Sequence, residues 1–173
     1  MTEIRNGEAM SYVNINLPPH EHYLDDFKEG MTFETPGISM SESAIIDFAH
    51  RFDPQPFHVD RVAGEKSMFG GLIASGFHTL SLTIRMFTDL GLTRGGSIGS
   101  PGIDEVRWLK PVRPGDTIRC RISAAEIKSS QSKPDRGTIR WRFEVCNQRD
   151  EVVMTSYVTA IVLKRPRTEP KQA

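Results

Sequence analysis

The sequence predicts an α+β domain in which an antiparallel β-sheet wraps around one long helix. The helix is predicted over residues 77–90, where apolar side chains leave only a narrow polar face. A helix of this kind needs cover on most sides. The segments that follow it have strand-like patterns and can supply that cover. They predict four successive antiparallel strands, over residues 103–109, 118–122, 139–145 and 152–163.

The chain before this helix predicts a short strand and a second helix. Residues 31–35 alternate between polar and apolar and end at a Pro-Gly turn, which indicates a strand. Ser39 followed by Glu42 is a capping-box pattern, and apolar residues then recur at helical spacing. We therefore expect a helix over residues 41–52. Residues 60–66 are a polar stretch with no predicted element.

Composition is typical of a globular protein of one domain. Of 173 residues, 38% are hydrophobic, and the apolar runs are much shorter than the roughly 20 residues that cross a bilayer. Basic and acidic residues number 22 each, so neither nucleic acid nor a membrane is expected as a partner. We expect one domain over residues 23–163, with polar tails at 1–22 and 164–173 in which His20 and His22 are solvated. The N-terminal segment lacks the features of a secretory signal, so a cytoplasmic location is expected.

Asp53 and His58 form the first part of a candidate active site. Pro54 and Pro56 each disfavour helical backbone at the preceding residue, so residues 53–58 are expected to be stiff and non-helical. A carboxylate and an imidazole held in fixed geometry suit acid/base catalysis. The spacing alone is weak evidence, because Asp53 could instead cap a turn and His58 could pack in the core.

Ser75 and Gly76 form the second part, at the start of the long helix. Ser75 suits the N-cap position, and the first-turn N–H groups of Gly76, Phe77 and His78 have no partner inside the helix. Such groups can stabilise developing negative charge. Gly76 also lets a ligand carbonyl approach the backbone closely. The alternative is a glycine that merely allows the helix to pack against the sheet.

Four stretches of the sequence form recognisable motifs. They are Phe48-Ala49-x₃-Asp53-x-Gln55-Pro56-Phe57-His58-x-Asp60, Phe69 to Gly76, Pro101 to Trp108 and Pro111 to Asp116. These motifs resemble those of the MaoC-like dehydratases and the (R)-specific enoyl-CoA hydratases. The resemblance extends over about residues 23–163 and includes the distance in sequence from Asp53 to Gly76.

The resemblance implies a hot-dog fold and a homodimer in which two long helices lie side by side. It also implies an enzyme that adds water to, or removes it from, the double bond of a 2-enoyl-CoA, with an (R)-3-hydroxyacyl-CoA product. In this interpretation Asp53 and His58 are the catalytic dyad and Gly76 is the oxyanion-hole residue. Acyl-CoA is the expected substrate, and no cofactor is expected.

Gln55 departs from the family pattern, which usually has asparagine at this position. The side chain of glutamine is one methylene longer, so any contact made by the asparagine could shift. The candidate substrate-binding residues are Gln55, Ser75, Phe77 and Ser81.

Two other functions fit the same fold. One is an acyl-CoA thioesterase, which would cleave the thioester with water. The other is a subunit that binds acyl thioesters but has an inactive dyad. Fold alone does not separate the three.

The remaining candidate sites have weaker patterns. His50 and His78, taken with the dyad histidine, lack the short ligand spacing of metal sites, so no metal is expected. Residues 95–99 are glycine-rich but lack the ending of a phosphate loop, and we expect a flexible connection there. No serine lies in a G-x-S-x-G motif. Cys120 and Cys146 are expected to be buried thiols.

Overall fold

The structure is a computed structural model that describes residues 21–166. A short 3-10 helix, Leu24–Asp26, comes first. The elements that follow are β1 (Thr32–Glu34), β2 (Ile38–Ser39), α1 (Glu42–Phe52), α2 (Pro56–Val59), α3 (Arg61–Lys66), α4 (Gly76–Asp89), β3 (Ser97–Trp108), β4 (Thr117–Ser129), β5 (Arg136–Cys146) and β6 (Val152–Leu163). In the described part of the chain, no helix is long and apolar enough to cross a membrane.

The strands form one six-stranded antiparallel sheet in the order β1-β4-β5-β6-β3, with β2 also paired to β4. The four predicted strands after the long helix are confirmed as strands, but they are not neighbours in simple succession. β3 pairs with β6, so it lies at the far edge of the sheet from β1. The chain therefore crosses the sheet between β3 and β4.

The core lies between α4 and the inward face of β4, β5 and β6. Alternate residues of these strands are buried, as their period-two patterns predict. The ring of Phe87 on α4 lies 5.5 Å from that of Trp141 and 5.1 Å from that of Phe143. α4 is covered along most of its surface, since His78, Thr79, Thr83, Met86 and Phe87 are buried, but one face is open in this chain taken alone, where Phe77 is 57% exposed.

The start of α1 differs from the predicted capping box. Ser39 belongs to β2 and pairs with Thr117 of β4. Ser41 is the N-cap instead, and its hydroxyl accepts a hydrogen bond from the amide of Ala44 at 3.1 Å. A hydroxyl one position before the first helical residue satisfies a free amide of the first turn, and Ser41 rather than Ser39 holds that position.

Residues 53–58 are not wholly non-helical as predicted, because α2 begins at Pro56. Gln55 is its N-cap with extended backbone, and Pro56 occupies the first turn. Proline is well tolerated there, since its missing N–H would have no helical partner. The polar stretch 60–66 likewise contains α3, which Asp60 caps by accepting hydrogen bonds from two backbone amides.

The glycine-rich segment 95–99 is not the flexible connection that its composition indicated. β3 begins at Ser97, and the amide of Gly96 donates to the carbonyl of His22 at 2.8 Å. His22, predicted to be solvated, is only 7% exposed, and its own amide donates to the carbonyl of Arg94. Backbone hydrogen bonds to a distant segment of the same chain therefore order a glycine-rich stretch that could adopt many conformations.

The predicted tails lie mostly outside the described residues, including His20 and residues 167–173. The parts next to the domain are bound to it. Arg165 donates to both carboxylate oxygens of Asp26, at 2.8 and 2.7 Å. The predicted burial of Cys120 and Cys146 is confirmed.

Candidate active site

The structure brings Asp53 and His58 together at the junction of α1 and α2. Asp53 is the C-cap of α1, and His58 lies in α2 and is buried. The Oδ2 atom of Asp53 lies 3.4 Å from the Nε2 atom of His58. The break between the two helices at Pro54-Gln55 turns the chain so that both side chains face the same space.

The orientation of the His58 ring is set by a backbone carbonyl. Its Nδ1 atom lies 2.8 Å from the carbonyl oxygen of Ile73. A carbonyl can only accept, so Nδ1 carries a proton and donates it. In the neutral ring this leaves Nε2 as the basic nitrogen, on the side of Asp53.

The carboxylate of Asp53 is held by two uncharged donors. The hydroxyl of Ser75 donates to Oδ2 at 2.7 Å, and the side-chain amide nitrogen of Gln55, Nε2, donates to Oδ1 at 3.0 Å. Burial by itself would raise the pKa of Asp53. The hydrogen bonds from Ser75 and Gln55, together with the nearby His58, outweigh burial and hold that pKa below its ordinary value. Asp53 is therefore a carboxylate at neutral pH.

Ser75 has a different place from the one predicted for it. It caps α4 by accepting from the amide of Phe77 at 3.2 Å, it is fully buried, and it donates to Asp53. It does not line the cavity described below. Its contacts make it a support for Asp53 and α4 rather than a substrate-binding residue.

Within residues 21–166, only one of the three amides predicted to be free at the start of α4 has no acceptor. The amide of Phe77 donates to the hydroxyl of Ser75, and the amide of His78 donates to the carbonyl of Ser75 at 3.0 Å. For Gly76, no acceptor among residues 21–166 takes the amide hydrogen. The predicted oxyanion function is thereby narrowed to Gly76 alone.

A cavity of about 450 Å³ contains both parts of the candidate site. Asp53, His58, Gln55, Gly76 and Phe77 all line it, so the structure brings these predicted residues together. The rest of the wall is mainly apolar and includes Phe57, Phe69, Ile73, Ala74, Thr79, Leu109, Pro111, Val112 and Val153. A largely apolar cavity with few polar groups is typical of a small-molecule site.

Ser81 is not part of this cavity. Its hydroxyl donates to the carbonyl of Phe77 at 2.8 Å. It lines a separate cavity of about 390 Å³ together with Phe48, Phe52 and Phe77. A separation of five residues places Ser81 on a different face of α4 from Gly76, so the predicted contact with the same site is wrong for this chain taken alone.

Trp108, at the end of β3, is a cavity residue that the sequence did not single out. Its indole nitrogen donates to the carbonyl of Gly76 at 3.0 Å, and the ring forms part of the cavity wall. Lys110 lines the cavity beside it and pairs with Glu151 at 2.6 Å. Trp108 is the last residue of the motif Pro101 to Trp108, but its partner Gly76 is 32 positions earlier, so no local pattern indicated the contact.

The two histidines weighed as metal ligands are not gathered with the dyad. His78 stacks on Phe48 with ring centroids 4.5 Å apart, and burial lowers its pKa. His50 is an exposed residue of α1. Among residues 21–166, no three His, Cys, Asp or Glu side chains are placed to hold a metal ion together.

An antiparallel sheet packed on α4 defines a hot-dog fold, and a carboxylate, an imidazole and the Gly76 peptide line one cavity in it. A family model described as the MaoC like domain matches residues 26–145. The chain therefore belongs to the MaoC-like family, which includes hydratases and dehydratases.

Three similar proteins illustrate this membership. The crystal structure of a MaoC-like dehydratase from Rhodospirillum rubrum is 38% identical, with a TM-score of 0.76 over 84% of this chain and 99% of that one. An uncharacterized protein of Bacillus subtilis, YdeM, is 29% identical and covers 80% of this chain and 97% of its own length. A mesaconyl-CoA hydratase from Cereibacter sphaeroides is 34% identical over 77 residues, which are 44% of this chain but only 22% of that protein.

Proposed function

We propose that the protein is a hydratase or dehydratase that acts on the double bond of a 2-enoyl-CoA, with an (R)-3-hydroxyacyl-CoA as the hydrated product. The observation that carries this proposal is the 3.4 Å approach of Asp53 and His58 in the same cavity as the free amide of Gly76. The acyl-CoA substrate and the (R) configuration rest on the resemblance of the motif to (R)-specific enoyl-CoA hydratases.

Hydration needs three groups, and the cavity offers all three. A base must take a proton from water as the oxygen attacks Cβ, an acid must return a proton to Cα, and a donor must stabilise the negative charge that develops on the thioester oxygen. Asp53 and the Nε2 atom of His58 lie side by side, so the proton that one of them takes from water can be passed on to Cα. The amide of Gly76 donates to the thioester oxygen. The sum is one water added across the double bond, and the reverse sequence removes it.

The proposal assigns the apolar wall of the cavity to the acyl chain. An uncharged chain gains free energy by leaving water for such a wall. Asp53, His58 and the peptide of Gly76 line the same cavity, and the thioester and the double bond must lie beside them for reaction. A cavity with both apolar and polar lining suits a 2-enoyl thioester.

The test is turnover with a series of (2E)-enoyl-CoA esters of increasing chain length. Loss of the conjugated double bond and release of free CoA are followed separately. Hydration without release of CoA is expected. Release of CoA without hydration would instead identify a thioesterase, and no turnover at any chain length would leave the binding subunit as the function.

Two conservative variants test the dyad. Asp53→Asn and His58→Gln keep the size of each side chain but remove its acid/base function, and each should lower the rate by about 10²- to 10⁴-fold. His50→Gln is the matched control, because this histidine is exposed on α1 and does not line the cavity. Full activity in either dyad variant would remove the proposed mechanism.

We also propose that the protein is a homodimer. β3 is a long strand at the edge of the sheet, and its Ile98 and Ile103 are exposed in the single chain. An edge of this kind is suited to pairing with another strand. Light scattering should give the mass of a dimer, and Ile103→Lys should favour the monomer.

A cytoplasmic location and the lack of a cofactor stay predictions.

A further inference from the structure

We propose that Trp108 is a positioning residue of this site, which fixes the Gly76 peptide and forms the wall against which the thioester lies. The proposal rests on the proposed function. Trp108 is the last residue of β3 and pairs with Met154 of β6. The next two amides, of Leu109 and Lys110, both donate to the carbonyl of Val153. The backbone that carries the indole is therefore anchored on both sides.

The contact between Trp108 and Gly76 is close and directional. The indole nitrogen donates to the Gly76 carbonyl at 3.0 Å. A Cβ atom on residue 76 would lie 2.5 Å from Cε2 and 2.6 Å from Nε1 of the indole, so a side chain there would have to displace the ring. The position of the indole thus requires glycine at residue 76.

This pairing compensates for the flexibility of glycine. An oxyanion donor must be held within about 0.5 Å of its productive position, but glycine has more backbone freedom than any other residue. Ser75 restrains the chain before Gly76, because its hydroxyl donates a hydrogen bond to Asp53 at 2.7 Å. Trp108 restrains the chain after it, because the hydrogen bond fixes the peptide that joins Gly76 to Phe77. The free amide lies between these two restraints.

The indole is also placed to touch the ligand. Trp108 is 49% exposed although it lies over a helix terminus and lines the cavity. Its ring meets that of Phe77 edge to face, with centroids 5.8 Å apart. A thioester bound beside Gly76 would cover the exposed part of this indole ring.

The first test is a mutant cycle at positions 76 and 108, read in turnover of (2E)-butenoyl-CoA. Trp108→Phe keeps a ring and loses the donor, and should lower kcat by about 2- to 10-fold with KM little changed. Gly76→Ala should lower kcat strongly in the wild type and much less in Trp108→Ala, where its methyl group no longer meets the indole. Thermal unfolding of each variant is measured beside it. Lost stability with unchanged kcat, or additive effects in the cycle, would overturn the proposal.

The second test measures binding without catalysis. The chain has two tryptophans, and the other one, Trp141, is 1% exposed, so acrylamide should quench mainly Trp108. Butanoyl-CoA has no double bond to hydrate and is the probe. It should protect the quenchable fluorescence, which Trp108→Phe should lack. Protection without any turnover of butenoyl-CoA would reject the hydratase but keep the ligand wall, while turnover without protection would reject the wall and keep the hydratase.

Discussion

Replacing Ser75 with glycine should slow the reaction and leave α4 in place. The hydroxyl of Ser75 has two functions, since it donates to Asp53 at 2.7 Å and accepts from the amide of Phe77 at 3.2 Å. Glycine at an N-cap is only a few tenths of a kcal/mol worse than serine, whereas alanine is about 1 kcal/mol worse. Ser75→Gly therefore removes the contact with Asp53 and largely spares the cap.

The expected size of the effect follows from the kind of bond that is lost. A hydrogen bond to a charged group contributes about 1.5–3 kcal/mol. If that energy holds the carboxylate in its reactive orientation, kcat should fall about 10- to 100-fold. The variant also loses a donor that lowers the pKa of Asp53, so that pKa should rise and the acid limb of the rate profile should move to higher pH.

The assay is the pH dependence of kcat for wild type, Ser75→Gly and Ser75→Ala, with urea unfolding of each. Ser41→Gly is the matched control, because Ser41 caps α1 in the same way but does not touch Asp53. It should keep the wild-type pH profile. An unchanged kcat and acid limb in Ser75→Gly would refute the assignment of Ser75 as the support of Asp53.

Three further predictions follow from single contacts. Asp53 has a folded pKa below its unfolded value of about 3.9, so its contribution to stability is complete above that value and is lost as pH falls through the folded pKa. Urea unfolding should accordingly show the advantage of wild type over Asp53→Asn shrinking as pH is lowered from about 6 to about 2, and a constant advantage would contradict this. Gln55→Leu removes the donor to Oδ1 of Asp53 and should move the acid limb of the kcat profile to higher pH than Gln55→Asn does. Equal acid limbs in the two variants would show that the 3.0 Å contact has no effect on Asp53. Phe143→Ala should lower the free energy of unfolding by about 3–5 kcal/mol, because this ring is fully buried against Phe87, and a loss under about 1 kcal/mol would be inconsistent with that packing.

The elements that sequence predicted well are those in which local pattern and burial agree. Alternation along β4 and β5 identified both strands because every second side chain enters the core. The crossover that separates β3 from β4 was not predictable, since pairing between distant strands depends on the whole sheet. The prediction of a flexible connection at residues 95–99 was wrong for a related reason. Their glycines permit many conformations, and long-range bonds to His22 select one of them.

The sequence predicted which residues of the candidate site lie together, but only part of the contacts between them. Asp53, His58 and Gly76 were recognisable because prolines and a helix start surround them. The contacts of Ser75 and Trp108 were not, because each bond joins residues more than 20 positions apart, 22 for Ser75 with Asp53 and 32 for Trp108 with Gly76. Gln55 shows the same limit at short range. Its extra methylene was visible in the sequence, but its bond back to Asp53 was not.

The site is built where three helices begin or end. Asp53 ends α1, Gln55 begins α2, and Ser75 begins α4, so each contributes at a point where regular backbone bonding stops. Helix ends leave amides and carbonyls without partners. Here several of these polar groups satisfy one another, whereas the amide of Gly76 has no acceptor within residues 21–166. A polar group left free beside a fixed carboxylate and imidazole is available to a substrate. The distance between Asp53 and His58 depends on where α1 stops, and Pro54 favours a stop at this point because it disfavours helical backbone at Asp53.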